Sequence, residues 1–288
     1  MTRWDEIATA ISAATGEAFK PDSQRSVGGG CINTTAVVSA GKRRYFVKLN
    51  RANRLGMFEA ESAALAALAA TKTLRIPAPI ASGIAGDEAF LAIEYLDLGG
   101  RGDLAQAGAQ LAELHRSQTT SFGFDCDNTI GATPQPNGWM DDWIGFLRER
   151  RLGFQLKLAE RKGHGGELRG LGERLLAKLD GFFADGTPAP SLLHGDLWGG
   201  NFAFDRDGSP CIYDPASYYG DREADLAMTE LFGGFGPRFR AGYTEAWPLA
   251  PGHERRKTLY NLYHILNHLN LFGPGYLGQA VAMLRSLT

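Results

Sequence analysis

The feature that most restricts this chain is Leu192-Leu193-His194-Gly195-Asp196-Leu197-Trp198-Gly199-Gly200-Asn201, followed thirteen positions later by Asp214. Two apolar residues lead into His-Gly-Asp, and an Asn stands five positions after the Asp. Asp214 directly follows the apolar strand expected at Cys211-Ile212-Tyr213. An Asp, an Asn and a second Asp on two adjacent turns meet the needs of Mg-dependent phosphoryl transfer to an alcohol. In that chemistry Asp196 sits near the acceptor hydroxyl, while the Asn201 amide oxygen and the Asp214 carboxylate hold the metal that bridges the nucleotide phosphates. The plainer alternative is that Asp196 and Asn201 cap a turn and Asp214 ends a strand.

The order and spacing match the H-R-D-x-x-x-x-N and D-F-G segments of protein kinases, with Gly195 in place of Arg and Pro215 in place of Phe. Upstream, Ser26-Val27-Gly28-Gly29-Gly30-Cys31-Ile32-Asn33 precedes a β-rich run from Thr34 to Ser39, a turn at Ala40-Gly41-Lys42 and a second strand, Arg44 to Leu49. That is the order in which a kinase fold builds the flap over its nucleotide phosphates. Gly28, Gly29 and Gly30 remove side chains where backbone must approach a polyphosphate, and their N–H groups can face it. A flexible β-turn accounts for the same three glycines equally well. Cys31 shares the loop. Converging N–H groups there stabilise a thiolate, which predicts an oxidant-sensitive residue and a redox-linked dimer through Cys31. A small residue in a tight turn is the alternative.

Lys48 lies in an apolar, β-forming segment, where an unpaired ammonium is costly. The run Met57 to Ala70 is strongly helix-forming, and Phe58, Glu61, Leu65 and Leu68 recur along one face, so Glu61 sits within the apolar stripe. A carboxylate there needs a cation, and Lys48 is the candidate; a strand lysine snorkelling to water is the alternative. Kinases use such a Lys–Glu pair to set the lysine on the phosphates. Glu59 projects elsewhere and is expected in solvent.

Ala89 to Leu96 is a buried-type strand that runs into a hinge, so the backbone after Glu94, as far as Leu96, is expected to meet the adenine edge of ATP. Asp97 to Gly102 is polar and glycine-rich, which places a boundary between an N-terminal nucleotide-binding lobe, 1–96, and a C-terminal catalytic and acceptor-binding lobe, 97–288. The remainder reads as helical. One helix ends with His115 near Ser117, and a loop or short hairpin follows over 121–138. A long amphipathic helix starts at Trp139 and is broken at Gly163-His164-Gly165-Gly166, and another runs to about Phe183. Further helices carry Asp225 and cover about 236–246, 254–271 and 275–287. His115 reads as a helix-end polar residue and His164 as exposed. His264 and His268, four apart, lack a third ligand and read as packing or surface polarity.

Net charge is −2 and the pI about 6.3, so no basic field favours nucleic acid. No stretch approaches the ~20 apolar residues of a membrane helix. Trp4, Asp5 and Glu6 precede any apolar run, unlike a signal peptide. Three widely spaced cysteines fit reduced thiols. The expectation is a cytoplasmic enzyme without nucleic-acid or membrane partners.

The chain resembles the fructosamine-3-kinase (ketosamine-3-kinase) family, within the aminoglycoside-phosphotransferase and choline-kinase superfamily, almost end to end. The resemblance rests on Gly28-Gly29-Gly30-Cys31-Ile32, Phe46-Val47-Lys48, Met57-Phe58-Glu59-Ala60-Glu61 and the Trp198-bearing loop. It extends to Trp143-x-x-Phe146 with Arg150-Arg151-Leu152, and to Tyr218-Tyr219-Gly220-Asp221-Arg222-Glu223. It closes with Asp225-Leu226-Ala227-Met228 and Leu231-Phe232-Gly233-Gly234-Phe235. Trp198 and Leu-Phe-Gly-Gly-Phe are the features specific to this branch. The resemblance implies an α+β, bilobal, protein-kinase-like fold, with a five-stranded antiparallel N-terminal sheet and a mainly helical C-terminal lobe. It further implies ATP and Mg2+ as cofactors, and phosphorylation of the 3-hydroxyl of fructosamines or ribulosamines, free or protein-bound. The product is labile and frees the amine, which implies repair of early glycation. Asp196 is similar to the family's catalytic aspartate, and Asn201 and Asp214 to its metal ligands. Lys48 and Glu61 resemble the phosphate-positioning pair, and Asp225 the aspartate that holds the catalytic loop. The Trp198 ring is expected to border the acceptor sugar, the alternative being that it packs inward and only shapes the loop. A kinase for an amino sugar, aminoglycoside or amino alcohol, and a catalytically silent nucleotide-binding module, are the alternative readings.

Overall fold

A computed structural model describes residues 2–28 and 32–288. The chain divides into two compact units: Met1–Gly102 with Ala203–Asp214, and Asp103–Phe202 with Pro215–Thr288.

The first unit is a five-stranded antiparallel sheet with helices. Helix α1 (Arg3–Thr15) starts at a reciprocal cap, in which the backbone N–H of Asp5 donates to Thr2 Oγ1 and the Asp5 carboxylate accepts from the N–H of Thr2. Strands β1 (Ser23–Val27), β2 (Thr34–Ala40) and β3 (Arg43–Arg51) follow, then α2 (Leu55–Ala70), β4 (Pro79–Ala85) and β5 (Glu88–Glu94). The strands lie in the order β1-β2-β3-β5-β4, so β3 is central. Alternation along β3 sorts its side chains between two faces. Val47 and Leu49 join Phe90 and Ala92 of β5 and Ile7, Ala8 and Ile11 of α1 in one apolar core. Lys48, between them, is directed to the opposite face. Helix α2 packs on β4 and β5 and buries Phe58, Ala64, Leu65 and Leu68.

The second unit is mainly helical. It contains α3 (Leu104–His115), the hairpin β6 (Asn128–Ile130) and β7 (Thr133–Gln135), and α4 (Trp143–Phe146). A π-helical stretch (Leu147–Leu152), α5 (Gly153–Ala159), a second π-helical stretch (Glu160–His164), α6 (Gly166–Ala177) and β8 (Ser191–Leu193) continue it. The chain returns to the first unit along β9 (Phe202–Phe204), which pairs with β10 (Pro210–Ile212). The second unit then resumes with β11 (Tyr218–Gly220), α7 (Glu223–Leu231), α8 (Gly236–Ala246), α9 (His253–Phe272) and α10 (Leu277–Leu287). Helix α9 is buried along most of its length and packs against α5, α7 and α10. Strands β8 and β11 pair antiparallel with Leu193 opposite Tyr218.

Two helix limits differ from the sequence expectation. The helix expected from Trp139 begins at Trp143, because the Asp142 carboxylate accepts from the N–H groups of Ile144 and Gly145 and acts as the cap. Residues before it are extended, with Met140 bridged to Phe122. The helix expected to reach Phe183 ends at Ala177, and a 3-10 turn (Leu179–Phe182) takes over.

Candidate active site

In the first unit, Lys48 is only 5% exposed in its side chain and donates to the carboxylates of both Glu61 and Asp214, the latter at 2.6 Å. Burial works against the ammonium, but the two carboxylates outweigh it and raise its pKa. Burial pushes the Glu61 carboxyl up, against the pull of Lys48. Glu59 is exposed, as its helical position implies. Asp214 follows β10 with φ at +58°, a left-handed conformation unusual outside glycine. Lys48 meets a carboxylate held on a strained turn, which is a common state of residues with a functional task.

Of the expected phosphate loop, Gly28 is exposed and open above its backbone. Gly29, Gly30 and Cys31 lie outside the described residues, and with them the expected thiolate and Cys31-linked dimer. The loop's base is tied on one side by Thr35 Oγ1 donating to Val27 O at 2.6 Å, and on the other by Asn50 Nδ2 donating to Asn33 Oδ1 at 2.7 Å. The Glu94 carboxylate is engaged by Arg75 and by the N–H of Ala78, so this side chain fixes the end of β5. Two residues on, the carbonyl of Leu96 accepts from Leu98 N–H at 3.1 Å.

In the second unit, Asp196 and Asn201 come together on one loop. Asn201 Nδ2 donates to the Asp196 backbone oxygen at 2.9 Å and to its carboxylate at 3.2 Å. The amide nitrogen therefore faces Asp196, and Oδ1 points away from it. The loop is held from beneath by Asp225 of α7, which accepts from the N–H of His194 at 2.7 Å and of Gly195 at 2.8 Å. Burial pushes the Asp225 carboxyl up, but the hydrogen bond from His115, the neighbouring His194 and the Gly195 N–H outweigh it, and its pKa falls. Gly195 has φ at +83°, and a Cβ there would lie 2.1 Å from Ala216 O. Only glycine fits, which accounts for Gly where protein kinases carry Arg.

His115 is not merely a polar helix end. It is fully buried, bonded through Nδ1 to Tyr243 at 2.8 Å and through Nε2 to Asp225 at 3.2 Å. The sequence offered no sign of this, because His at the last turn of a helix also suits the helix dipole. Another support passed unread in the motif residues. The Arg151 guanidinium lies 3.9 Å from the Tyr218 ring and 4.6 Å from that of Phe146, while Gln135 Nε2 donates to Ala216 O at 3.0 Å. These groups hold the segment that follows Asp214.

Trp198 is 39% exposed and meets Phe232 edge-to-face at 6.4 Å. A Cβ on Gly200 would strike its indole at 2.4 Å. The neighbouring Gly199 faces Gly233-Gly234: a Cβ on Gly234 would lie 2.7 Å from Gly199 Cα. The Trp198-Gly199-Gly200 turn and the Gly233-Gly234 turn thus pack backbone on backbone.

His164 is half-buried, not exposed. His264 is buried, and burial followed by the neighbouring His268 lowers its pKa to about 3. His268 Nδ1 donates to His264 O at 2.8 Å. Among the described residues, no group of three His, Cys, Asp or Glu side chains could hold a metal. Cys126 and Cys211 are free, and burial raises the Cys211 thiol to about 11. Among the described residues, no helix is long and apolar enough to cross a membrane.

The family model described as fructosamine kinase matches residues 3–288. A Synechocystis protein described as a probable ketoamine kinase is 49% identical over 98% of this chain and 96% of its own length. The chloroplastic protein-ribulosamine 3-kinase of Arabidopsis thaliana is 44% identical over 90% of this chain and 80% of its own. A crystal structure assigned as a candidate fructosamine-3-kinase from Haemophilus somnus 129PT superposes with a TM-score of 0.90 at 28% identity, covering 99% of this chain and 97% of that one. The kinase-like fold, the bonded Asp196–Asn201 pair, the Lys48–Glu61–Asp214 cluster and these matches together place the chain in the fructosamine kinase family.

Proposed function

We propose that this protein is an ATP-dependent kinase that phosphorylates the 3-hydroxyl of ketosamines, fructosamines or ribulosamines, and so takes part in repair of glycated amines. The observation that carries this reading is the loop from His194 to Asn201. Asp196 and Asn201 are bonded to each other there, the backbone is anchored by Asp225, and the Trp198 ring stands exposed two residues from Asp196. The relatives named as ketoamine and ribulosamine kinases supply the acceptor class.

In this mechanism Asp196 accepts the proton of the attacking sugar hydroxyl and fixes its direction. Lys48, held by Glu61, sets its ammonium on the nucleotide phosphates, and the backbone of Gly28 to Gly30 covers them. The backbone between Glu94 and Leu96 receives the adenine edge. Asn201 and Asp214 offer an amide oxygen and a carboxylate, the hard oxygen donors that suit Mg2+. When bound, the metal neutralises charge on the transferring phosphoryl group. The division of labour proposed is nucleotide binding by 1–96 and catalysis and acceptor binding by 97–288, of which 97–102 and 203–214, with Asp214, belong to the first compact unit. The widely spaced cysteines suit a reducing, cytoplasmic setting.

ATP turnover across a panel of fructosyl- and ribulosyl-amines, free amino sugars and kanamycin-like aminoglycosides tests the assignment. Ketosamines are expected to be phosphorylated well and aminoglycosides poorly. Robust turnover of the aminoglycosides with none of the glycated amines would replace it with an aminoglycoside kinase.

A further inference from the structure

The exposed large apolar side chains among the described residues are five, Ile84, Trp139, Trp198, Phe232 and Phe272, and three of them belong to one continuous set of rings in the second unit. From Trp198 the centroids step 6.4 Å to Phe232, 4.8 Å from Phe232 to His268, and 5.4 Å from His268 to Phe272. Tyr276 closes the set, 5.1 Å from His268 and 6.4 Å from Phe272. Phe272, the last helical residue of α9, is 56% exposed. The ledge starts at Trp198, two residues from Asp196 in sequence, and Phe232, His268, Phe272 and Tyr276 continue it ring by ring.

We infer that the outer part of this ledge, Phe272 with Tyr276, binds the substituent on the ketosamine nitrogen, and that it favours extended alkyl or aryl amines, such as a lysine side chain, over small ones. This rests on the ketosamine reading of the Asp196 site. Two properties fit this occupant. An acceptor whose 3-hydroxyl meets Asp196 and whose sugar lies by Trp198 has only its amine end left to extend along the remaining rings. That end is a secondary amine, protonated at neutral pH and followed by hydrocarbon. Ring faces attract the cation, and their edges and faces cover the hydrocarbon.

The test compares two ketosamines with the same sugar, one on methylamine and one on the ε-amine of an Nα-blocked lysine, with wild type, Phe272→Ala and Phe272→Ala/Tyr276→Ala. Wild type is expected to prefer the lysine substrate in kcat/KM. The single substitution should reduce that preference about threefold and the double about tenfold, in line with one and two aromatic contacts. The change should reside in KM, with the oligomeric state by sedimentation unaltered. A preference identical in all three proteins would overturn the ledge while leaving the ketosamine kinase standing. So would a change of oligomeric state on Phe272→Ala, which would mark the patch as a contact between copies of the chain. Failure of wild type to phosphorylate either compound would overturn the ketosamine reading and the ledge with it.

Discussion

Asp225 accepts from the backbone N–H of Gly195 at 2.8 Å across thirty residues of sequence, and its other oxygen takes the N–H of His194. A carboxylate can accept from both, whereas an amide offers one oxygen and a donor. Asp225→Asn therefore turns one N–H contact into a clash of donors and takes the anion from His115. Steady-state kinetics should show kcat down by ~10²-fold, as for a small displacement of reacting groups, with KM for ATP nearly unchanged. An unchanged kcat would mean that the loop keeps its place without this anchor.

Asp196→Asn should leave folding and ATP binding intact while lowering kcat by ~10²-fold or more, the usual contribution of a positioned acid–base group. Circular dichroism and nucleotide titration check the first part, and turnover of a ketosamine checks the second. Retention of most of the turnover would remove Asp196 from its proposed role.

Lys48→Met leaves Glu61 and Asp214 without the ammonium between them. Removing one partner of a buried pair costs up to about 3–5 kcal/mol, less here because Asp214 is half exposed. Urea unfolding of Lys48→Met, Glu61→Gln and the double variant should give a coupling of more than about 1 kcal/mol, the double being milder than the sum. Strict additivity would show that the pair seen in the structure contributes nothing to stability.

Gly195→Ala should be among the most damaging single-methyl changes in the protein. The new Cβ meets Ala216 O at 2.1 Å and the residue must hold φ at +83°. A loss of at least about 2 kcal/mol is expected by thermal or urea unfolding. Ala at Gly16, which has nothing within 4 Å, serves as the control for a positive φ without the clash.

His264 links stability to pH. Its folded pKa, about 3, lies below the ordinary 6.5, so its contribution is present above pH 6.5 and is lost as pH falls. Between pH 6.5 and 5 that loss amounts to about 2 kcal/mol. Asp221, raised to about 6 by burial and by Glu223, titrates in the opposite sense, so wild type is best compared with His264→Asn at each pH. Wild type should lose about 2 kcal/mol more than the variant over that range. Parallel unfolding curves would show that His264 is not held neutral.

What was legible in the sequence is what periodicity and close spacing record. The two-residue alternation of β3 and the helical stripe of α2 were enough to pair Lys48 with Glu61, and Asp196 to Asn201 is a five-residue interval. The His115–Asp225 pair spans 110 positions and joins the last turn of one helix to the first turn of another, so no local pattern carries it. The early start expected at Trp139 failed because a cap at Asp142 outweighs the apolar content of the residues before it. Phe232, His268 and Phe272 are ordinary helix-end aromatics in sequence, and only tertiary structure lines them up with Trp198.

The contact of Gly199 with Gly234 has a consequence for anyone moving parts between members of the fructosamine kinase family. A loop transplanted without its partner turn would bring a side chain, or a differently curved backbone, into a gap that admits neither. Trp-Gly-Gly and Leu-Phe-Gly-Gly-Phe are therefore one exchangeable module in two pieces, and a chimera that imports the first must import the second.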